Sequence, residues 1–234
     1  MKTKILIAAL FCACSINSVK SQSIQVIYET QPKIQLNTNG LDKSIVEQIM
    51  KSSRIKTMLC CKDGESTYKT LKNEDSSSGV NIISPENITY KNYNTNKEIS
   101  FRDFLGKEFL IESELATDEW TIIDSTKDIC GYTCTKAISK NKEKETAVWF
   151  CPHLPINDGP VYTGLNGLVL ETVSENVTIT AVEISTDADC DIIIPSKGKK
   201  IHKAEFDKMV EKRTKALQQE AETSGSGISI KIIR

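Results

Sequence analysis

The chain has 234 residues, 30 Lys and Arg against 31 Asp and Glu, 39% hydrophobic residues, and only 11 Gly and 6 Pro. That apolar fraction excludes long disorder, the scarcity of Gly excludes a collagen-like chain, and no internal apolar run approaches the ~20 residues of a membrane-spanning helix. The near-balanced charge argues against a nucleic-acid partner, and the length suits one ordinary domain.

Residues 1–21 combine Lys2 and Lys4, the apolar run Ile5 to Phe11 and a small-residue end at Val19-Lys20-Ser21. This is the organisation of a secretory signal peptide, so a single domain over residues 22–234 is expected in the periplasm or cell envelope. Lipid anchoring through Cys14 is the competing address. Cys60, Cys61, Cys130, Cys134, Cys151 and Cys190 then remain. An even count in an exported chain makes all six disulfide candidates and leaves their pairing open. Cys60 and Cys61 are adjacent, so in a strand they face opposite ways and need different partners.

In chain order, Ser23 to Glu29 alternates and is rich in branched residues, which predicts an opening strand. The spacing of Ile45, Ile49 and Met50 predicts a short helix over Asp42 to Arg54. Ile55 to Cys61 and Ser66 to Leu71 flank the turn Lys62-Asp63-Gly64-Glu65, a hairpin signal. Asn73 to Gly79 is a solvated loop. A ladder of short strands follows: Ile88 to Tyr93, Glu98 to Phe101, Lys107 to Glu112, Thr121 to Ile123, Tyr132 to Ile138, Thr146 to Cys151, Leu168 to Val173, Val177 to Ile184 and Asp191 to Ile194. Their spacing suits an antiparallel meander. From Lys203, Phe206, Met209, Val210 and Leu217 recur near helical spacing among charges, predicting an exposed helix with one packing face. After Thr223 to Gly227, the run Ile228 to Ile233 is a flexible tail or an edge strand. The expected class is therefore β-rich α+β, with an N-terminal and a C-terminal helix.

The central block runs from Phe104-Leu105-Gly106-Lys107 through Trp120-Thr121-Ile122, Cys130-Gly131-Tyr132-Thr133-Cys134 and Ala147-Val148-Trp149-Phe150 to Gly164-Leu165-Asn166-Gly167-Leu168-Val169. It resembles the GLPGLI family of exported Bacteroidetes proteins, whose naming motif corresponds here to Gly164, Leu165, Asn166, Gly167, Leu168 and Val169. Asn166 replaces the motif's Pro, which frees a backbone N–H and loosens φ, and Val169 replaces its Ile. Cys151 stands where relatives commonly carry Thr. The resemblance implies an envelope protein with a curved antiparallel sheet similar to lipoprotein-carrier half-barrels.

Within that frame Trp149, Tyr162, Leu165 and Leu168 are expected to line a cavity in the curved sheet that takes an apolar ligand or a segment of an envelope protein. On this reading Leu165→Asp abolishes uptake without unfolding the sheet. Cys130, Cys134, Cys151 and His153 supply ligand types suited to Cu(I) or Zn²⁺, the alternative function, although the spacing is no recognised ligand pattern. A partner protein for an outer-membrane transporter is a further alternative. Cys151 and His153 lie too close together across Pro152 to be assumed a nucleophile and base, and no nucleophile elbow, zincin helix or phosphate loop accompanies them. The expectation is a non-catalytic binding or accessory protein without a cofactor.

Overall fold

In the computed structural model the described residues are 23–33, 53–72, 85–139, 145–161 and 163–223. The strands are β1 (Ile24–Pro32), β2 (Ile55–Lys62), β3 (Glu65–Thr70), β4 (Asn87–Asn92), β5 (Lys97–Phe104), β6 (Lys107–Glu114), β7 (Trp120–Ile129), β8 (Tyr132–Ser139), β9 (Ala147–Cys151), β10 (Leu168–Val173), β11 (Val177–Thr186) and β12 (Lys199–His202). Among the described residues one helix, α1 (Lys203–Thr223), follows. The β-rich class is as expected. The strands form a single open sheet in the order β12-β6-β5-β4-β3-β2-β1-β11-β10-β9-β8-β7.

Two meanders, β1 to β6 and β7 to β11, make up this sheet, and β1 pairs with β11 to join them. Three hairpins turn on two residues with positive φ, namely Asp63-Gly64, Leu105-Gly106 and Cys130-Gly131. Positive φ at both central positions matches the right-handed twist of the flanking strands, and a Gly at the second lowers its cost. Every pairing is antiparallel except β12 on β6, which is parallel, so the purely antiparallel expectation is corrected to a mixed sheet.

The sheet is curved. Register shifts at Ile27/Tyr28, Ile123/Thr126 and Val169/Glu171 add local twist. Lys91 on β4 and Asp158, seven residues beyond the end of β9, form an ion pair of 2.7 Å, so the loop after β9 reaches back to a strand six places away in the sheet order.

The larger core lies on one face, with Ile24, Val26, Tyr28, Leu59, Cys61, Leu168 and Leu170 buried, and Leu154 and Ile156 brought over it by the loop after β9. Val148 and Phe150 alternate with Trp149 and Cys151 along β9 and pack instead with Ala137, Leu165 and Val169 in a second cluster.

One predicted element changes and one unpredicted strand is added. Asp191 to Ile194 forms no strand; residues 187–198 are an irregular strap crossing the sheet from β11 to β12. Cys190 is disulfide-bonded to Cys60 on β2, and Ile193 N donates to Thr67 Oγ1 at 2.8 Å while Thr67 Oγ1 donates to Ile193 O at 3.2 Å. Cys60 and Thr67 are register partners, so they present one face to the strap. Cys61 points away into the larger core, as adjacent strand residues require. The strap ends at β12, which sequence alone did not reveal. Helix α1 then places Phe206 edge-on to Phe104 and Phe109, with ring centroids 6.1 and 5.5 Å away, and buries Val210. The helix predicted over Asp42 to Arg54, the tail Ile228 to Ile233, and the leader with Cys14 lie outside the described residues, save for Ser53 and Arg54, which are not helical.

Candidate functional site

The loop between β9 and β10, described over residues 152–161 and 163–167, is an irregular segment that lies across the cores, and two packed anchors hold it. On the larger core, Asp158 is fully buried; its Oδ1 accepts from Lys91 Nζ at 2.7 Å and from Gly159 N at 2.6 Å, and Lys91 Nζ also donates to Gly159 O at 3.3 Å. A buried carboxylate is tolerated only when its charge and lone pairs are met, and here both are. Cys61 Sγ lies 3.8 Å from Asp158 Oδ2 as a weak donor. Burial, then the Asp158 charge, push the Cys61 thiol well above the ordinary thiol range, against the opposing pull of Lys91. Tyr28 donates to Val169 O at 2.8 Å, and burial pushes its phenol up. These groups keep their protons and serve as fixed donors.

The second anchor is the glycine motif. Leu165 is buried in the second cluster, and Trp120 Nε1 donates to Thr163 O at 2.9 Å. Gly167 has φ +152°, and a Cβ there would stand 2.4 Å from Cys151 O. Only glycine permits this approach, which lays the end of the loop on its own root. The loop's backbone is cross-tied by Leu168 N to Leu154 O at 3.0 Å and Val169 N to Asp158 O at 2.9 Å.

Between the anchors the loop encloses a groove of about 390 Å³ lined by Pro152, Pro155, Asn157, Asn166 and Gly167. Asn157 Oδ1 accepts from Gly164 N at 2.9 Å, which fixes that amide, while Asn166 is exposed. The lining combines amides, each both donor and acceptor, with apolar prolyl rings, and contains no titratable side chain. Its chemistry is recognition of neutral polar groups. A second groove of about 370 Å³ lies at β6, β12 and α1, lined by Leu110, Glu112, Lys200, Ile201, His202 and Glu205. Its Glu112 is already held below the usual carboxylate range by Lys97 and then Lys200.

The expected cavity residues do not converge. Leu168 is buried in the larger core and Leu165 in the second, so the two lie in separate clusters. Trp149 is half-buried against the larger core with Lys127 Nζ 5.5 Å from its ring centroid, and Lys127 reaches both carboxylate oxygens of Glu171 at 2.7–2.8 Å. Tyr162 lies outside the described residues. With Leu165 only 4% exposed, Leu165→Asp would bury a carboxylate in a packed core, so it tests folding rather than uptake.

Of the metal set, Cys134 and Cys151 share the larger core cluster, which includes neither Cys130 nor His153. Cys134 and Cys151 are buried, Cys130 is exposed at a turn with its thiol donating to Ala181 O at 3.2 Å, and His153 is exposed. Among the described residues no group of three or more His, Cys, Asp or Glu side chains is placed to hold a metal ion. Sequence reasoning missed Lys91, Asp158, Pro155 and Asn157. The available signal was a Lys at an inward position of an alternating strand and the turn-rich run Pro155-Ile156-Asn157-Asp158-Gly159.

Comparison with known proteins places this geometry in a family. The family model described as N-glycanase peptide, N-terminal domain, matches residues 65–212. Two structures of PNGF-II, in the P21 and C2 space groups, share the fold with TM-scores of 0.54 and 0.53 at 17% identity. Each match covers 82% of this chain and 34% or 33% of the other, so the chain spans about a third of their length. Comparison with curated proteins gives no match. The family match overturns the resemblance to the GLPGLI family, and with it the envelope carrier of an apolar ligand, the Cu/Zn handler and the transporter partner. The motif Gly164 to Val169 is a tight, close-packed turn whose glycines the backbone geometry of this chain requires.

Proposed function

We propose that this chain, which belongs to the family of N-glycanase peptide N-terminal domains, takes part in N-glycan processing by seating part of a glycan or glycopeptide in the groove of Pro152, Pro155, Asn157, Asn166 and Gly167. The observation that carries this reading is the lining itself. A sugar presents neutral hydroxyls, acetamido groups and C–H faces; the two amides complement the first two and the prolyl rings the third. At about 390 Å³ the groove falls within the size of small-ligand sites, roughly 300–1,000 Å³.

The role proposed is recognition rather than cleavage. General acid–base chemistry needs a titratable group within hydrogen-bond reach of the reacting bond, and the groove lining supplies none. The nearest buried carboxylate, Asp158, is committed to Lys91 and Gly159 N. The cleaving step of an N-glycanase is accordingly assigned to parts of the longer relatives that this chain does not match. The Cys60–Cys190 bridge supports an exported, oxidising setting.

Titration with chitobiosyl-asparagine, followed by amide chemical shifts, tests the proposal. Saturable shifts at Gly164, Asn166 and Gly167 are expected, and Asn166→Ala should weaken binding about three- to tenfold, the worth of one neutral hydrogen bond. Asn166 is exposed, so its thermal midpoint should not move. Absence of saturable shifts, or equal affinity of Asn166→Ala, would overturn the reading.

A further inference from the structure

We infer that Cys134 and Cys151 are a second disulfide site, a cross-strand bridge that ties β8 to the point where the groove loop leaves β9. This inference is independent of the glycan reading.

The register carries it. Strands β8 and β9 pair antiparallel through Ile138↔Ala147, Ala137↔Val148, Lys136↔Trp149 and Thr135↔Phe150. The ladder ends at Thr135↔Phe150, and the same register continued one step further sets Cys134 opposite Cys151. Facing residues of an antiparallel pair stand about 4.5–5.5 Å apart at Cα, inside the roughly 4.4–6.8 Å range that a disulfide spans. Both cysteines are fully buried in the same core cluster, and Cys151 is the leading charged neighbour that raises the Cys134 thiol, after burial itself, to about 12. Cys134 Sγ donates along its own strand to Tyr132 O at 3.4 Å, a contact the side chain gives up in rotating to close the bridge.

The remaining free cysteines are placed elsewhere. Cys61 faces Asp158, and Cys130 sits exposed in the β7–β8 turn against Ala181 O. The Cys60–Cys190 bridge shows that this chain closes cysteines where geometry allows.

The chemistry balances as thiol–disulfide exchange with a small-molecule or protein disulfide as oxidant. One protein thiolate attacks a sulfur of that disulfide, giving a mixed disulfide and releasing one thiolate. The second protein thiolate then displaces the other half. Two protein thiols are oxidised, one external disulfide is reduced to two thiols, and the two protons pass to the departing thiolates. A Cys134 thiol at about 12 is almost wholly protonated near neutral pH, so the exchange belongs to folding, before β8 and β9 are covered.

The bridge has a structural consequence. Cys151 O accepts from Leu154 N at 3.2 Å and lies under Gly167, so fixing Cys151 fixes the root and the end of the loop together.

The test is a thiol map of the full chain purified from an oxidising compartment. Unfolded in acid without reductant, it is alkylated and then cut with trypsin and a Glu-specific protease, which separates Cys151 from Cys190 at Glu171. The expected result is Asp128 to Lys136, alkylated at Cys130, linked through Cys134 to the peptide carrying Cys151. Cys61 should be alkylated and Cys60–Cys190 recovered separately. Alkylation of Cys134 and Cys151 before reduction, or a link from either to another cysteine, overturns the inference. Cys151→Ser should expose Cys134 to alkylation while leaving Cys60–Cys190 intact. Should that variant fail to fold, the wild-type map decides alone.

Discussion

Asp158 and Lys91 are 67 residues apart in sequence and 2.7 Å apart in space, both almost without solvent. Removing one partner leaves the other as an uncompensated buried charge, which typically costs about 3–5 kcal/mol, whereas replacing both with apolar groups is often near neutral. Lys91→Met is therefore expected to destabilise by about that amount, and Lys91→Met with Asp158→Leu to recover most of it. Urea unfolding of both variants and the wild type checks this. A Lys91→Met midpoint equal to wild type would mean that the pair is not what holds the loop. This pair shapes the groove although it contributes no atom to the lining, because it sets where the chain passes between Ile156 and Gly159.

At the scale of elements the strap is the decisive connection. Its bridge closes a sequence separation of 130 residues. In the chain-entropy account a loop of that size is worth about 4–5 kcal/mol relative to the reduced unfolded chain. Cys60→Ala with Cys190→Ala should lower the thermal midpoint under non-reducing conditions, and adding reductant to the wild type should lower it at least as far, since reductant also opens the inferred Cys134–Cys151 bridge. How far each element was legible follows from where its information lies. The β2–β3 hairpin and β10 carry local alternation and turn chemistry, and they were read within a residue or two. Only the start of β7, Thr121 to Ile123, was visible, because the shift between Ile123 and Thr126 breaks the period of two. The run Ile192 to Ile194 has strand composition, but Thr67 and Cys60 claim its segment as a strap. Strand β12, Lys-Lys-Ile-His, has no alternation to read and owes its existence to β6, whose paired residues stand 90 positions earlier. In the site, Asn166 was noticed only as a missing proline, while Asn157 and Asp158 gained meaning from contacts that a sequence does not display.

For the whole molecule, proton linkage has one sign at alkaline pH. Burial holds Tyr28 and Cys61 well above their ordinary values and Tyr68 up to about 12. The folded state therefore keeps protons that the unfolded chain releases from about pH 9 upward. The stabilisation these groups contribute is complete below that pH and is lost as pH rises toward the folded values, at about 1.4 kcal/mol per pH unit for each group titrating in the unfolded chain. Urea midpoints measured from pH 7 to 11 should run level and then fall beyond about pH 9; a level profile throughout would show that these side chains are hydrated. The seam between β1 and β11 bears on how the chain reaches this state. Each meander is built from neighbours in sequence and can form its hairpins early, but Ile24 meets Thr186 only when nearly the whole chain is available. Non-local pairings of this kind slow folding. On a ribosome, or in threading through a pore, β1 would wait with one edge bare until β11 emerged, so the late closure of this seam marks the interval in which the chain is most open to pairing with a neighbour.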